Sequence, residues 1–468
     1  MYKLAIIYGN AQNGVQKKAI EVLSEFLLDY TFEYPICMKY DAAFDYSPYR
    51  CIYIGTKENN CYINEHSKAQ LNQEEEYCIK VENNAVMIEG YDDNGVLYGC
   101  VDFYNKYLLK CEYVPSSESG WKPGKPFEQP LADFELQSAP AIKARGIWTW
   151  GHVIYDYKDF MDNMVKLKMN TLIMWNDHAP FHAKDIIDYA HACGIKILFG
   201  FPWCWDTDCG KFDLATINEQ GPIVLQEYEK EYAGLDIDGI YFQSFTELPG
   251  EEINGILIAD AVTDFVNKTA ELFFAKYPKL ELQFGLHATS VKEKLDYIKN
   301  VNPKITIVWE DCGAFPFSYS SHDIKNHSET NEFVKKVACL RGKHDKFAVV
   351  TKGFTCLDWS KFEHLDGAVN FGVSSKFMKQ NRIVRKHKRW KYLQAYWLQN
   401  ADKAYETVKL MCDLKNGKLS VTPLLEDGMF EENIMFHVAL FSEMLWDCET
   451  ELASMLTDVA LRDYVEFA

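Results

Sequence analysis

"RGIWTWGHVIYDYKDFMDNMVKLKMNTLIMWND" (residues 145–177) passes through three patterns in succession. A tryptophan-bearing apolar run comes first. Apolar residues at helical spacing follow, and a second apolar run stops on Asn176 and Asp177. That sequence of periods predicts a strand, a crossover helix and a parallel strand. The rhythm repeats downstream. "TLIMWND" is followed by "AKDIIDYAHACG", "IKILFGFPWCWD" by "IVLQEYEKEYAG", and "DGIYFQSFTEL" (238–248) by "ADAVTDFVNKTAELFFAKYP". "LELQFGLHATS", "ITIVWEDCG", "KFAVVTKGF" and "GAVNFGVSS" (367–375) are the expected fifth to eighth strands. Eight such runs, most followed by a helix, predict an α/β fold built on a (β/α)8 TIM barrel. The rival, a doubly wound open sheet, usually carries a glycine-rich phosphate turn after its first strand, and "TWGHVIYD" (149–156) is not one.

Three regions follow from this reading. Residues 1–125 read as an N-terminal α+β domain: "RCIYIGT" and "YCIKVENNAVMIEG" alternate with period two, and Asn83–Asn84 marks a hairpin turn. After "DDNG" the spacing becomes helical, with Val96, Leu97, Val101, Tyr104 and Leu108 on one face. "PSSESGWKPGKP" (115–126) reads as a linker. Residues 126–375 hold the expected barrel. Residues 376–468 form a C-terminal helical region, through "RWKYLQAYWLQNADKAYETVKLM" and "NIMFHVALFSEMLW".

Bulk composition narrows the class. The chain has 468 residues, 48% hydrophobic and 25% charged, as a folded multidomain protein does. Its net charge of −19 argues against nucleic acid or an anionic membrane as main partner. "MYKLAIIYGNAQNG" reads as a first strand and not as an export signal, and no apolar run approaches the roughly 20 residues of a membrane span. None of the fourteen cysteines forms a C-x-x-C pair, so reduced thiols in a cytoplasmic setting are expected. Cys204 and Cys209 have no matched second pair to share a metal with. The sequence calls for no cofactor and no metal; assembly into a homodimer is left open.

In such a barrel the active site is made at the C-terminal ends of the strands. Those ends offer Trp148 and Trp150, then Trp175 and Asp177, then Trp203 and Trp205. Further round lie Gln243 and Glu247, His287, Trp309, Glu310 and Asp311, Lys352 and, a little beyond, Trp359. Seven of the eleven tryptophans fall in these stretches, beside carboxylates and amides. A sugar ring has apolar C–H faces and a polar edge, which this combination suits; the plainer alternative is that the indoles cover the core. Glycosidic cleavage needs an acid to protonate the leaving oxygen and a second group to stabilise or attack the oxocarbenium-like centre. Glu247 is the expected acid. Glu310 or Asp311 is the expected second group, and alternation along a strand lets only one of them face inward, Glu310 by preference. His152, His178 and His287 show no metal-ligand spacing, and neither a G-x-S-x-G elbow nor a P-loop occurs.

Two segments carry a resemblance. "EEEYCIKVENNAVMIEGYDDNGVLYGCVDFYNKYL" resembles the small N-terminal domain that precedes the barrel in glycoside hydrolase family 20 and related families. "ARGIWTWGHVIYDYKDFMDNMVKLKMNTLIMWND" resembles that family's first β-α-β segment, with its arginine-glycine start and its helix ending in Lys168, Met169 and Asn170. The resemblance implies a β-N-acetylhexosaminidase-like glycosidase. It also implies that Arg145 reaches sugar hydroxyls, that Asp177 stands one position from a strand-2 aspartate, and that Trp309 lines the pocket. The family's strand-4 aspartate–glutamate pair is not matched, because Thr246 precedes Glu247. Family members use that aspartate to orient the substrate acetamido group. The expected function is therefore a glycoside hydrolase, foremost of an N-acetylhexosamine-containing glycan. The alternatives are an α-glucuronidase-like or neutral-sugar glycosidase and a non-catalytic carbohydrate-binding barrel. An oligosaccharide or glycoside is the expected partner.

Overall fold

The computed structural model describes residues 3–111, 127, 130–204, 213–246, 250–287, 291–311, 327–354, 367–415, 419–425, 430–431 and 433–467.

The N-terminal domain begins with β1 (Lys3–Tyr8), α1 (Gly14–Thr31), β2 (Ile36–Lys39), β3 (Tyr49–Gly55) and α2 (Cys61–His66). It continues with β4 (Tyr77–Glu82), β5 (Ala85–Gly90), α3 (Asp93–Asp102) and β6 (Phe134–Ser138). These six strands form one sheet in the order β2-β1-β3-β5-β4-β6. The expected hairpin is present. β4 pairs antiparallel with β5, and Asn83 and Asn84 both adopt the left-handed conformation (φ 52° and 63°) that a two-residue turn requires. Asp92 caps α3 by accepting from the Gly95 amide at 2.8 Å. The described residues of α3 are nearly all buried, because the sheet covers one side and the barrel the other.

The barrel is built from β7 (Ala144–Trp150), α4 (Tyr157–Lys166), β8 (Thr171–Trp175), α5 (Ala183–Ala192), β9 (Lys196–Gly200), α6 (Gly221–Glu231) and β10 (Gly239–Phe242). A two-stranded flap, β11 (Glu252–Ile253) and β12 (Ile256–Leu257), precedes α7 (Ile258–Lys276). Next come β13 (Glu281–His287), α8 (Leu295–Ile298), β14 (Thr306–Glu310), α9 (His327–Ala338) and β15 (Phe347–Thr351). Two long helices follow, α10 (Lys376–Gln399) and α11 (Ala401–Lys415), before β16 (Leu419–Pro423). The chain ends with β17 (Ile434–Met435), α12 (Phe436–Trp446), α13 (Leu452–Ala460) and β18 (Val465–Glu466). Strands β7 to β10 and β13 to β16 close into an eight-stranded parallel barrel, as the sequence predicts. None of the described helices is long and apolar enough to cross a membrane.

The eighth strand is not the expected one. Residues 367–375 form no barrel strand; they strap the start of α4, with Tyr157 N donating to Gly372 O at 2.9 Å and Ser374 N to Tyr155 O at 2.8 Å. Closure falls to β16, where Phe347 pairs with Leu419 on one side and Ala144 with Ser420 on the other. The barrel thus runs from Ala144 to Pro423, with α10 and α11 inserted before its last strand.

A buried ionic junction fixes the N-terminal domain beneath the barrel. Arg145, 1% exposed, donates to Glu75 at 2.6 Å and to the carbonyls of Ile142, Lys143 and Lys168. Its guanidinium lies 5.0 Å from the Trp446 ring centroid. Asn170 accepts from the Arg145 amide and donates to Glu75. Lys168, in the left-handed region (φ 54°), pairs with Asp102 at 2.7 Å and lies 4.2 Å from the Trp446 ring.

Candidate active site

Alternation along each strand decides which side chains enter the barrel. On β7, Trp148 and Trp150 point inward and meet edge to face, with centroids 5.0 Å apart. Trp175 of β8 and Tyr241 of β10 join them, with Tyr241 lying 5.6 Å from Trp148 and 6.0 Å from Trp175. Val153, Ile173, Leu198, Val308, Ala348, Val350 and Leu424 complete this inner cluster.

Above it, at the strand ends, stands Glu310, 2% exposed. The Tyr241 hydroxyl and the Gln243 amide both donate to its Oε1, and Lys352 Nζ donates to Oε2 at 2.5 Å. Three strands therefore converge on one carboxylate: β10, β14 and β15. Gly285 of β13 makes the space, since a Cβ there would collide with the Tyr241 hydroxyl and press on Glu310. Burial alone would raise the Glu310 pKa. The Lys352 ammonium, then His287 and the donated hydrogen bonds, outweigh it and hold the carboxyl below its usual range. His287, at the end of β13, is pushed down to about 4 by burial and by Lys352, against the opposing pull of Glu310. The imidazole is neutral near pH 7 and the carboxylate is ionised. Such a carboxylate can stabilise a developing cation or act as a base; it holds no proton to give.

The other expected site residues divide. Gln243, His287 and Lys352 stand with Glu310, and Trp148, Trp150 and Trp175 form the aromatic wall below them. Asp177 lies half-buried just past β8. Asp311 is fully buried and accepts from the Lys352 amide at 2.6 Å, so it braces the strand end that carries Lys352. Trp309, one residue before Glu310, faces outward against Phe333, and Trp203 stacks on Phe242 at 3.7 Å in the layer between barrel and helices. Neither lines the lumen, because the parity that admits Glu310 excludes its neighbour. Arg145 is at the opposite end of the barrel, sealed in the domain junction, and does not reach the mouth. Glu247, Trp205 and Trp359 lie outside the described residues. Tyr241 was not among the expected site residues. Its parity with Gln243 two positions on was the available signal.

No protein-family model matches the sequence, and no curated protein does. Solved structures do resemble it. One is described as a novel family GH115 4-O-methyl-alpha-glucuronidase with specificity for decorated arabinogalactans (TM-score 0.56, 14% identity). A second is a GH138 enzyme targeting pectin rhamnogalacturonan II (TM-score 0.55, 12% identity), and a third is named CpGH84D (TM-score 0.54, 12% identity). Each match covers 97% of this chain. The chain spans 58% of the first structure and 65% of the second, less than two thirds of either, and 68% of the third. At these identities the likeness is one of architecture: this chain has the barrel fold of structures named as glycoside hydrolases.

Proposed function

We propose that the protein is a glycoside hydrolase. The observation that carries this reading is the ionised Glu310, set by Lys352, Tyr241 and Gln243 at the C-terminal end of a barrel strand above a floor of three tryptophans. Glu310 stabilises the oxocarbenium-like centre or activates its attacker. Glu247, four residues beyond Gln243 in the sequence, gives its proton to the leaving oxygen as the bond to the anomeric carbon breaks.

The finer reading is an N-acetylhexosaminidase-like enzyme of the family 20 superfamily, working in the cytoplasm on a soluble glycan. All the described cysteines are free thiols, which suits a reducing compartment. A uronic-acid substrate is the second reading. With Arg145 committed to the domain junction, Lys352 is the cation at the described strand ends that could meet a sugar carboxylate. The binding-barrel reading draws on the Lys352–Glu310 pair too, since each charge is already met by the other.

Release of nitrophenol from N-acetyl-glucosaminides, galactosaminides, glucuronides and plain hexosides in both anomeric forms tests these together. Turnover that Glu310→Gln and Glu247→Gln each abolish is the expected result. Binding without turnover of any glycoside supports the binding barrel and removes the hydrolase.

A further inference from the structure

A polar cavity of about 540 Å3 lies outside the barrel wall, where three helices and the Glu431 segment meet. Glu25 comes from α1, Asp159 and Lys166 from α4, and Lys376 and Lys379 from the start of α10. Its volume is in the range of small-molecule sites, and no aromatic side chain lines it, so it offers no platform for a sugar ring or a base.

The charges around it are unevenly met. Lys379 pairs with Asp159 at 2.6 Å. Glu431 is different. It is 4% exposed, its Oε1 accepts from the Tyr155 amide at 2.6 Å, and its Oε2 has no hydrogen-bond partner. Burial pushes this carboxyl up to about 7, against the pull of the Tyr155, Glu431 and Asp156 amides and of the Lys379 ammonium. Asn163 donates to the Phe430 carbonyl at 2.7 Å and so holds the segment that presents it. An unmet buried acceptor of this kind costs free energy until a donor reaches it. α10 supplies the other polarity. It is a 24-residue helix whose positive end brings Lys376 and Lys379 to the cavity.

We infer that this cavity binds a small zwitterion, a free amino acid or a dipeptide, with its ammonium on Glu431 and its carboxylate at the start of α10. The site is independent of the barrel mouth and of any reaction there.

Isothermal titration calorimetry of the full chain with glycine, L-glutamate, L-lysine and L-alanyl-L-alanine tests it, with acetate and ethylamine as single-charge controls. At least one of the four zwitterions should bind about tenfold or more tightly than both controls. Glu431→Gln should weaken that binding by about tenfold, the loss of one charge-assisted hydrogen bond. Lys376 is exposed, so Lys376→Ala retains the fold and should weaken it by about threefold or more. Absence of heat with all four zwitterions, or controls that bind as well as they do, overturns the inference. So does an unchanged affinity in Glu431→Gln. Should that variant not fold, unchanged affinity in Lys376→Ala has the same force.

Discussion

The two ends of the barrel each bury a lysine–carboxylate pair, and the pairs serve different ends. At the bottom, Lys168 and Asp102 join two domains, with Tyr77 donating to the same aspartate oxygen and Trp446 lying over the ammonium. At the top, Lys352 and Glu310 join neighbouring strands within one domain, with Tyr241 and Gln243 on the carboxylate. The lower pair is closed in by the N-terminal sheet domain and by α12. The upper pair stands where a barrel leaves its mouth open. The same chemistry thus locks an architecture in one place and poises a charge in the other. Which it does depends on what covers it.

Substitutions should separate the two. The largest effect is expected from Glu310→Gln, which should lower kcat for the best glycoside by about 100- to 10,000-fold. It also strands Lys352, so the double variant Glu310→Gln/Lys352→Met should recover stability in urea without recovering turnover. At the bottom, Lys168→Met takes from the buried Asp102 its ion-pair partner and leaves it the Tyr77 hydrogen bond. It should cost about 3–5 kcal/mol in urea unfolding, with kcat/KM of the folded fraction unchanged. A large kcat loss there would erase the distinction between the ends.

Acid should weaken the fold through the upper end. His287 has a folded pKa of about 4, below the ordinary value near 6.5, so the unfolded chain takes up its proton first. Stability should therefore fall as pH drops from about 6.5 to 4, by up to about 1.4 kcal/mol per pH unit from this group, and His287→Asn should flatten that window. Glu310 adds in the same direction at lower pH, since its stabilisation is lost as pH falls through its depressed pKa. Tyr241→Phe removes one donor from the ionised Glu310. A drop of about tenfold in kcat is expected, with the acid limb of the pH–rate profile moved upward. The smallest contrast is between tryptophans: Trp150→Ala should raise KM, whereas Trp309→Leu should lower Tm and leave KM alone.

Much of this was legible in the sequence, and the misses share a cause. Seven barrel strands, the Asn83–Asn84 turn and the inward Glu310 follow from period and parity. β16 was missed because "LSVTP" mixes small polar residues with a proline and reads like a turn after a helix, while "GAVNFGVSS" has the alternation of a strand without being one. Trp203 and Trp309 were expected in the pocket because proximity to a strand end was weighed above parity. Arg145, Lys168 and Asn170 carry the family resemblance, yet in this chain they build the domain junction. A motif shared across families can record how two domains are fastened together, and sequence alone does not separate that from contact with a ligand.

The late position of β16 also bears on synthesis. Until Leu419–Pro423 leaves the ribosome, β7 and β15 both expose a bare parallel edge, with α10 and α11 already made. The ladder that closes the barrel joins Ser420 to Ala144 across the whole of the intervening barrel sequence, so ring closure is the last step of barrel assembly in chain order. A nascent chain released before that point would carry two sticky borders and no partner strand to cover them.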